Sequence, residues 1–261
     1  MKNHEASMSA LKLLRFKIVC AAAITVGIFA QSPACKAGLL INMDLGDAAA
    51  ASSKTGFAAI GQTANDFWNW YNRQDGQGHY KSFGAVANLS LADGTPTQVG
   101  MTIANAPGAW YNGSTDPMYN VYLYPLSGGN VTVTITNLPA GQYDVLPYAN
   151  DGNYEVTVGG TSYGSQSCLE AAVTNPPVWK EGVQYVRFRN VQVAAGQALV
   201  LTVRPGTFGY AVISGFQIVQ SVINPLLNVD LGDATNVSSK AGFAAIGQTA
   251  SDFWNYYNRQ D

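Results

Sequence analysis

Charged side chains are scarce in this chain: Asp, Glu, Lys and Arg make up 11% of 261 residues, and the formal net charge is −2. No basic run could neutralise a row of phosphates, which argues against a nucleic-acid partner. Histidine is scarcer still. Outside the first 37 residues the one histidine is His79, in GQGHYKS, and it reads as a surface residue. Zinc-binding strings of the H-E-x-x-H or paired C-x-x-C kind are absent. Of the cysteines Cys20, Cys35 and Cys168, only Cys168 lies beyond the N-terminal segment, so there is no disulfide framework. Long apolar runs are missing too. Residues 18–30 (IVCAAAITVGIFA) fall well short of the roughly 20 that a membrane span needs.

That apolar run follows Lys12, Arg15 and Lys17 and precedes QSPACKAG. A basic flank, a short apolar stretch and an A-x-A-like site describe a secretory signal peptide, expected over residues 1–37. Cleavage after Ala34 would leave Cys35 first, and cleavage after Ala37 would remove it. A lipid on Cys35 would lack the usual aliphatic residue, because Ser32, Pro33 and Ala34 stand before it. The expected location is secreted or at the cell surface, an oxidising setting.

What the chain does have is internal repetition. Residues 41–75 (INMDLGDAAAASSKTGFAAIGQTANDFWNWYNRQD) recur at 227–261 (LNVDLGDATNVSSKAGFAAIGQTASDFWNYYNRQD), about three-quarters identical. The offset of 186 residues far exceeds the roughly 20–50 of solenoid and propeller repeats. It fits one whole domain and the opening of another. The expected organisation is a module over 39–220, a linker over 221–225 and an incomplete second repeat over 226–261. The chain would then be the front of a longer bacterial protein with further copies. A strand and loop without partners is unstable in water, so 226–261 is expected to be disordered or loosely docked.

Within the module, Leu39, Ile41, Met43 and Leu45 alternate with Asn42 and Asp44, the pattern of a half-buried strand with a solvated polar face. Val131, Val133 and Ile135 alternate with three threonines in the same way. Further strands are read at 142–149, 154–158, 184–188, 198–203 and 211–219, with a tight hairpin turn over 150–153 (NDGN). Segment 46–74 reads as loops with one short helix near 58–60. Thr63 and Asp66 there have the spacing of a helix cap. No sustained helical period follows residue 38. Many short strands separated by Gly, Pro and Asn predict an all-β sandwich or jelly roll.

Three strings, INMD (41–44), LPAGQYDV (138–145) and AVISGFQI (211–218), resemble the galactose-binding-domain-like jelly rolls, including malectin and related carbohydrate-binding modules. The likeness spans most of 39–219. It implies a sandwich with its first and last strands close together, and it raises the expectation of glycan binding. It carries over no site residues.

Candidate binding residues come from the aromatics. Trp68, Trp70 and Tyr71 sit together in the repeat, and Trp110, Tyr111 and Asn112 lie in a Gly- and Asn-rich stretch. Flat rings stack on the apolar C–H faces of sugars, and neighbouring amides can bind hydroxyls. The alternative is that these rings pack the core; Trp68 recurs as Trp254 and Trp70 as Tyr256, which a structural slot explains equally well. Asp44, Asp47 and Asp66 recur as Asp230, Asp233 and Asp252 and are the candidate ligands for a structural Ca²⁺. No other cofactor is expected. Asp116 and Asp151 read as turn residues. A glycosidase needs two carboxylates across a cleft, and no catalytic site is read here. The expected function is a secreted, non-catalytic module whose partner is a polysaccharide or glycan. One alternative is a structural or adhesion repeat without a small ligand, with Trp68 and Trp110 both buried. Another is a polysaccharide hydrolase or lyase.

Overall fold

The computed structural model describes residues 38–47, 52–74, 80–221, 227–232, 240–242, 244 and 251–259. The expected signal peptide with Cys35, and also His79, Asp233 and linker residues 222–225, lie outside the described residues.

The chain forms an all-β sandwich. One sheet runs, in spatial order, β11 (Phe188–Val193), β8 (Gly141–Tyr148), β13 (Gly215–Gln220), β1 (Leu40–Gly46) and β2 (Asn69–Asn72). The other runs β10 (Thr161–Leu169), β9 (Asp151–Val158), β12 (Leu199–Arg204), β7 (Val131–Thr136), β4 (Gly100–Ala104) and β3 (Phe83–Val86). Neighbours are antiparallel except for the parallel pair β1–β2. The first and last strands of the module are adjacent, with Leu40 opposite Val219 and Asp44 opposite Gly215.

Alternation builds the core between the sheets. Ile41, Met43 and Leu45 of β1 share one buried cluster with Val131, Val133 and Ile135 of β7 and with Leu199, Leu201 and Val203 of β12. Burying each such side chain contributes about 1.5–3 kcal/mol.

The other face of β1 departs from the solvated face that its sequence pattern predicts. Asn42 and Asp44 are both buried. The loop before β2 folds back over this face, and Trp68 and Ala58 join Met118, Tyr119, Leu146 and Tyr148 in a second apolar cluster. Polar groups buried this way need partners. Gln217 Nε2 accordingly donates to Asn42 Oδ1 at 2.7 Å, and Asn42 Nδ2 donates to the Phe67 carbonyl at 3.0 Å. A strand alternation reports chemistry, and here a second layer covers both kinds of residue.

Three local expectations also shift. The NDGN string is no hairpin turn, because β8 and β9 belong to different sheets and the chain arches between them. The strand expected at 184–188 begins at Phe188 instead. Segment 58–60 is bent and non-helical, while a short helix, α1 (Pro117–Asn120), forms where Asp116 caps the Met118 and Tyr119 amides at 3.1 and 3.3 Å. Proline at the first helical position suits that role.

Two small ladders stand outside the sandwich sheets. β5 (Gly108–Tyr111) pairs antiparallel with β6 (Val121–Tyr124). In the second repeat, β14 (Val229–Gly232) pairs parallel with β15 (Asn255–Asn258), in the register of β1 and β2. Local bonds accompany this pair: Trp254 Nε1 donates to the Gly242 carbonyl at 2.8 Å, and Asn228 Nδ2 to that of Phe253 at 3.1 Å.

Candidate aromatic binding cleft

Directly opposed residues of an antiparallel ladder share a face, as do residues two apart on one strand. In the β5–β6 hairpin Trp110 opposes Tyr122, and Gly108 opposes Tyr124. Trp110, Tyr122 and Tyr124 therefore stand on one face. Ala109, Tyr111 and Leu123 take the other, where Leu123 enters the main core. Gly108 is required beneath Tyr124: a Cβ there would lie 2.7 Å from the ring.

The loop after β12 adds a second wall. Asp151 accepts from the Thr207 and Phe208 amides, both at 2.8 Å, and Gly206 N donates to the Tyr210 carbonyl at 3.0 Å. Asp151 is thus the clamp that presents Tyr210. Its ring meets Tyr124 edge-on at 5.8 Å, and Tyr122 lies 6.1 Å from Tyr124. Together Trp110, Tyr122, Tyr124, Leu126 and Tyr210 line a cleft of about 390 Å³. Trp110 is 62% exposed and Tyr210 57%. Burial, with Tyr124 and Tyr210 beside it, raises the Tyr122 phenol, which keeps it a neutral hydroxyl that can both donate and accept. Among the described lining residues none is Asp, Glu, Lys, Arg or His.

The sequence-predicted residues divide. Trp110 lines the cleft. Tyr111, its neighbour in sequence, points the other way and donates its phenol to Asp47. Asn112 is committed to the hairpin's end: its Nδ2 donates to the Tyr119 carbonyl at 2.7 Å, and its Oδ1 accepts from Ser114 N at 2.9 Å. Trp68 is buried, with Nε1 donating to the Gly56 carbonyl at 2.9 Å. Tyr71 is buried in the main core and Trp70 is half-buried against Gly46. None of these three lines the cleft. Tyr122, Tyr124, Leu126 and Tyr210 were not singled out by sequence. The signal available was the VYLY string, which places Tyr122 and Tyr124 on one strand face.

The three repeat acids each have separate partners. Ser52 Oγ donates to Asp44, whose carboxyl is pushed up to about 7, chiefly by burial; Asp116 nearby adds to this, while the Ser52 bond and Lys54 oppose it. Asp66 accepts from Gln62 N at 2.6 Å, Thr63 N at 2.7 Å and Thr63 Oγ1 at 2.9 Å. Asp47 pairs with Arg73 at 3.2 Å. Among the described residues, no group of three His, Cys, Asp or Glu side chains is placed to hold a metal ion. Asp116, besides capping α1, forms a buried ion pair with Lys54.

Residues 160–164 (GTSYG) fit the spacing G-x-S-x-G. A nucleophile elbow is a sharp strand-to-helix turn, whereas this string spans a turn and the bulged start of β10, and Ser162 Oγ donates to Glu155 at 2.6 Å. A second cleft, of about 510 Å³, contains Arg187 and Arg189. Their charges are already matched, Arg187 by Asp144 at 2.6 Å and Arg189 by Glu181 at 2.7 Å.

No protein-family model matches the chain, and no curated protein matches it. Among solved structures it is similar to a Bacillus subtilis protein (17% identity, TM-score 0.32, covering 76% of this chain and 45% of that one). It is also similar to the Podospora anserina GH26-CBM35 β-(1,4)-mannanase (16%, 0.33, 52% and 30%). A third is TmCBM61 in complex with β-1,4-galactotriose (13%, 0.25, 57% and 95%). The chain spans less than half the length of the first two. At these scores the likeness carries no inference about function. The fold and cleft define the class on their own terms: an all-β sandwich with a solvent-facing aromatic cleft.

Proposed function

We propose that this chain is a non-catalytic carbohydrate-binding sandwich that takes a polysaccharide or glycan across the Trp110–Tyr122–Tyr124–Tyr210 cleft. The observation that carries the reading is the exposed Trp110 beside a tyrosine-lined concavity with no charged residue among its described lining. A pyranose offers apolar C–H faces for the rings and hydroxyls for the phenols, which is the mixture such a lining complements. An exposed aromatic patch is otherwise unfavourable and marks a place for a partner. A purely structural repeat would bury Trp110. Export through a signal peptide over 1–37 would place the module outside the cell. Further copies in tandem would raise weak affinities through avidity. Affinity electrophoresis of the chain against plant, algal and host polysaccharides tests the reading: retardation by at least one is expected, and migration unchanged by all of them refutes it.

A further inference from the structure

The second repeat presents to solvent the face that the first repeat buries. Ile41, Met43 and Leu45 are fully buried, while their counterparts Leu227, Val229 and Leu231 are 75%, 45% and 74% exposed. Tyr71 is buried and its counterpart Tyr257 is exposed. Among the described residues β14 has one ladder neighbour, β15, whereas β1 has two, β2 and β13.

Several local contacts recur in both copies. The parallel ladder has the same register, Met43 opposite Asn69 and Val229 opposite Asn255. Trp68 and Trp254 donate to the carbonyls of Gly56 and Gly242 at 2.9 and 2.8 Å. Asn69 and Asn255 donate to those of Asn42 and Asn228 at 2.9 and 3.1 Å. Lys54 and Lys240 lie over Trp68 and Trp254 at 5.6 and 5.7 Å. The repeat thus forms its own strand pair without β13 beside it.

The polar contacts between the first repeat and the rest of the sandwich come from residues that recur. Asn42 accepts from Gln217, Asn69 bonds both the carbonyl and the amide of Ser90, and Lys54 pairs with Asp116. Asp47 accepts from Tyr111, and Arg73 donates to the Pro107 carbonyl. The counterparts are Asn228, Asn255, Lys240, Asp233 and Arg259. Of the eight differing positions, Ile41 and Met43 become Leu227 and Val229, apolar in both copies, Trp70 becomes Tyr256, and Ala49, Ala50 and Ala51 become Thr235, Asn236 and Val237, which lie outside the described residues. Thr55 and Asn65 are exposed.

Connectivity permits the substitution. Gln220, at the end of β13, donates its amide to the Leu39 carbonyl at 2.7 Å. At the repeat offset Leu39 corresponds to Pro225, which lacks an N–H but keeps the carbonyl that this bond uses. Four residues, 221–224, separate Gln220 from Pro225, a length that β-hairpins use. Folded back on β13, the second repeat would run antiparallel to it, as β1 does.

We infer that the sandwich can be completed by either repeat, so that the second repeat exchanges with the first in the slot beside β13 of the same chain. Each arrangement buries one repeat face and exposes the other, a switch between two packings of one sequence.

The test uses the full chain. Ile41→Asp with Leu45→Asp places two carboxylates in the core and disables the first repeat. This variant is expected to remain a monomer with a cooperative thermal transition, and amide exchange at 228–232 is expected to slow at least tenfold relative to the parent. Leu227→Asp with Leu231→Asp should leave the transition unchanged, and combining all four substitutions should abolish it. Loss of the cooperative transition in the Ile41→Asp/Leu45→Asp chain, or its folding only as a dimer, overturns the inference.

Discussion

Tyr111 donates its phenol to Asp47 Oδ1 at 2.8 Å, across 64 positions of sequence. Arg73 holds the other carboxylate oxygen at 3.2 Å. The pair ties one face of the aromatic hairpin to the end of β1, while Trp110 on the opposite face is exposed. The Asp47 bond raises the Tyr111 phenol above its ordinary 10.0, because a phenolate would face a carboxylate. Asp47→Asn is expected to bring that titration back down, read by absorbance of the tyrosinate. It should weaken polysaccharide retardation by less than loss of Trp110 does.

The buried Asp44 makes stability depend on pH. Its folded pKa of about 7 lies above the ordinary 3.8, so between those values the folded chain binds a proton that the unfolded chain releases. Unfolding free energy from this group therefore falls as pH rises from about 4 to about 7 and levels off above that. Asp44→Asn keeps an acceptor for Ser52 and removes the ionisation. It is expected to raise stability at pH 8 by roughly 2–4 kcal/mol and to change it little at pH 4, measured by urea unfolding at both. Equal effects at the two pH values would contradict this account.

Lys54 and Asp116 form the ion pair under the repeat loop, with Lys54 also close to the rings of Trp68 and Trp179. Removing one partner of a buried pair leaves the other charge without compensation, at a cost of about 3–5 kcal/mol. Lys54→Met should destabilise by that amount in thermal or urea unfolding. Adding Asp116→Ala should restore part of the loss.

Two tryptophans should separate stability from binding. Trp68→Ala opens a cavity in the second apolar cluster, and its expected cost is about 3–5 kcal/mol in chemical unfolding. Trp110→Ala removes an exposed ring and should shift the midpoint by little. A large loss of stability from Trp110→Ala would mean that its role is packing.

Much of the sandwich was legible because alternation is a direct image of a pleated strand: β1, β7 and β12 stand where Ile41, Val131 and Leu199 alternate with polar neighbours. The burial of Asn42 and Asp44 was not legible. It depends on a loop returning from further along the chain, which no local pattern encodes. The cleft was half legible. Trp110 was visible as an aromatic in a Gly- and Asn-rich stretch, but pairing it with Tyr122 requires the hairpin register. Tyr210 arrives through a loop held by Asp151, 59 residues earlier in sequence. Adjacent aromatics were misleading for a simple reason: neighbours on a strand point to opposite faces, so Trp110 and Tyr111 cannot share one site surface.

The central claim is that the Trp110 face of the β5–β6 hairpin binds carbohydrate. The most direct measurement is affinity electrophoresis of the parent chain, Trp110→Ala and Tyr210→Ala against the polysaccharide that retards the parent most. The account predicts at least a tenfold loss of affinity in each variant with an unchanged thermal midpoint. Retardation that survives both substitutions would contradict it.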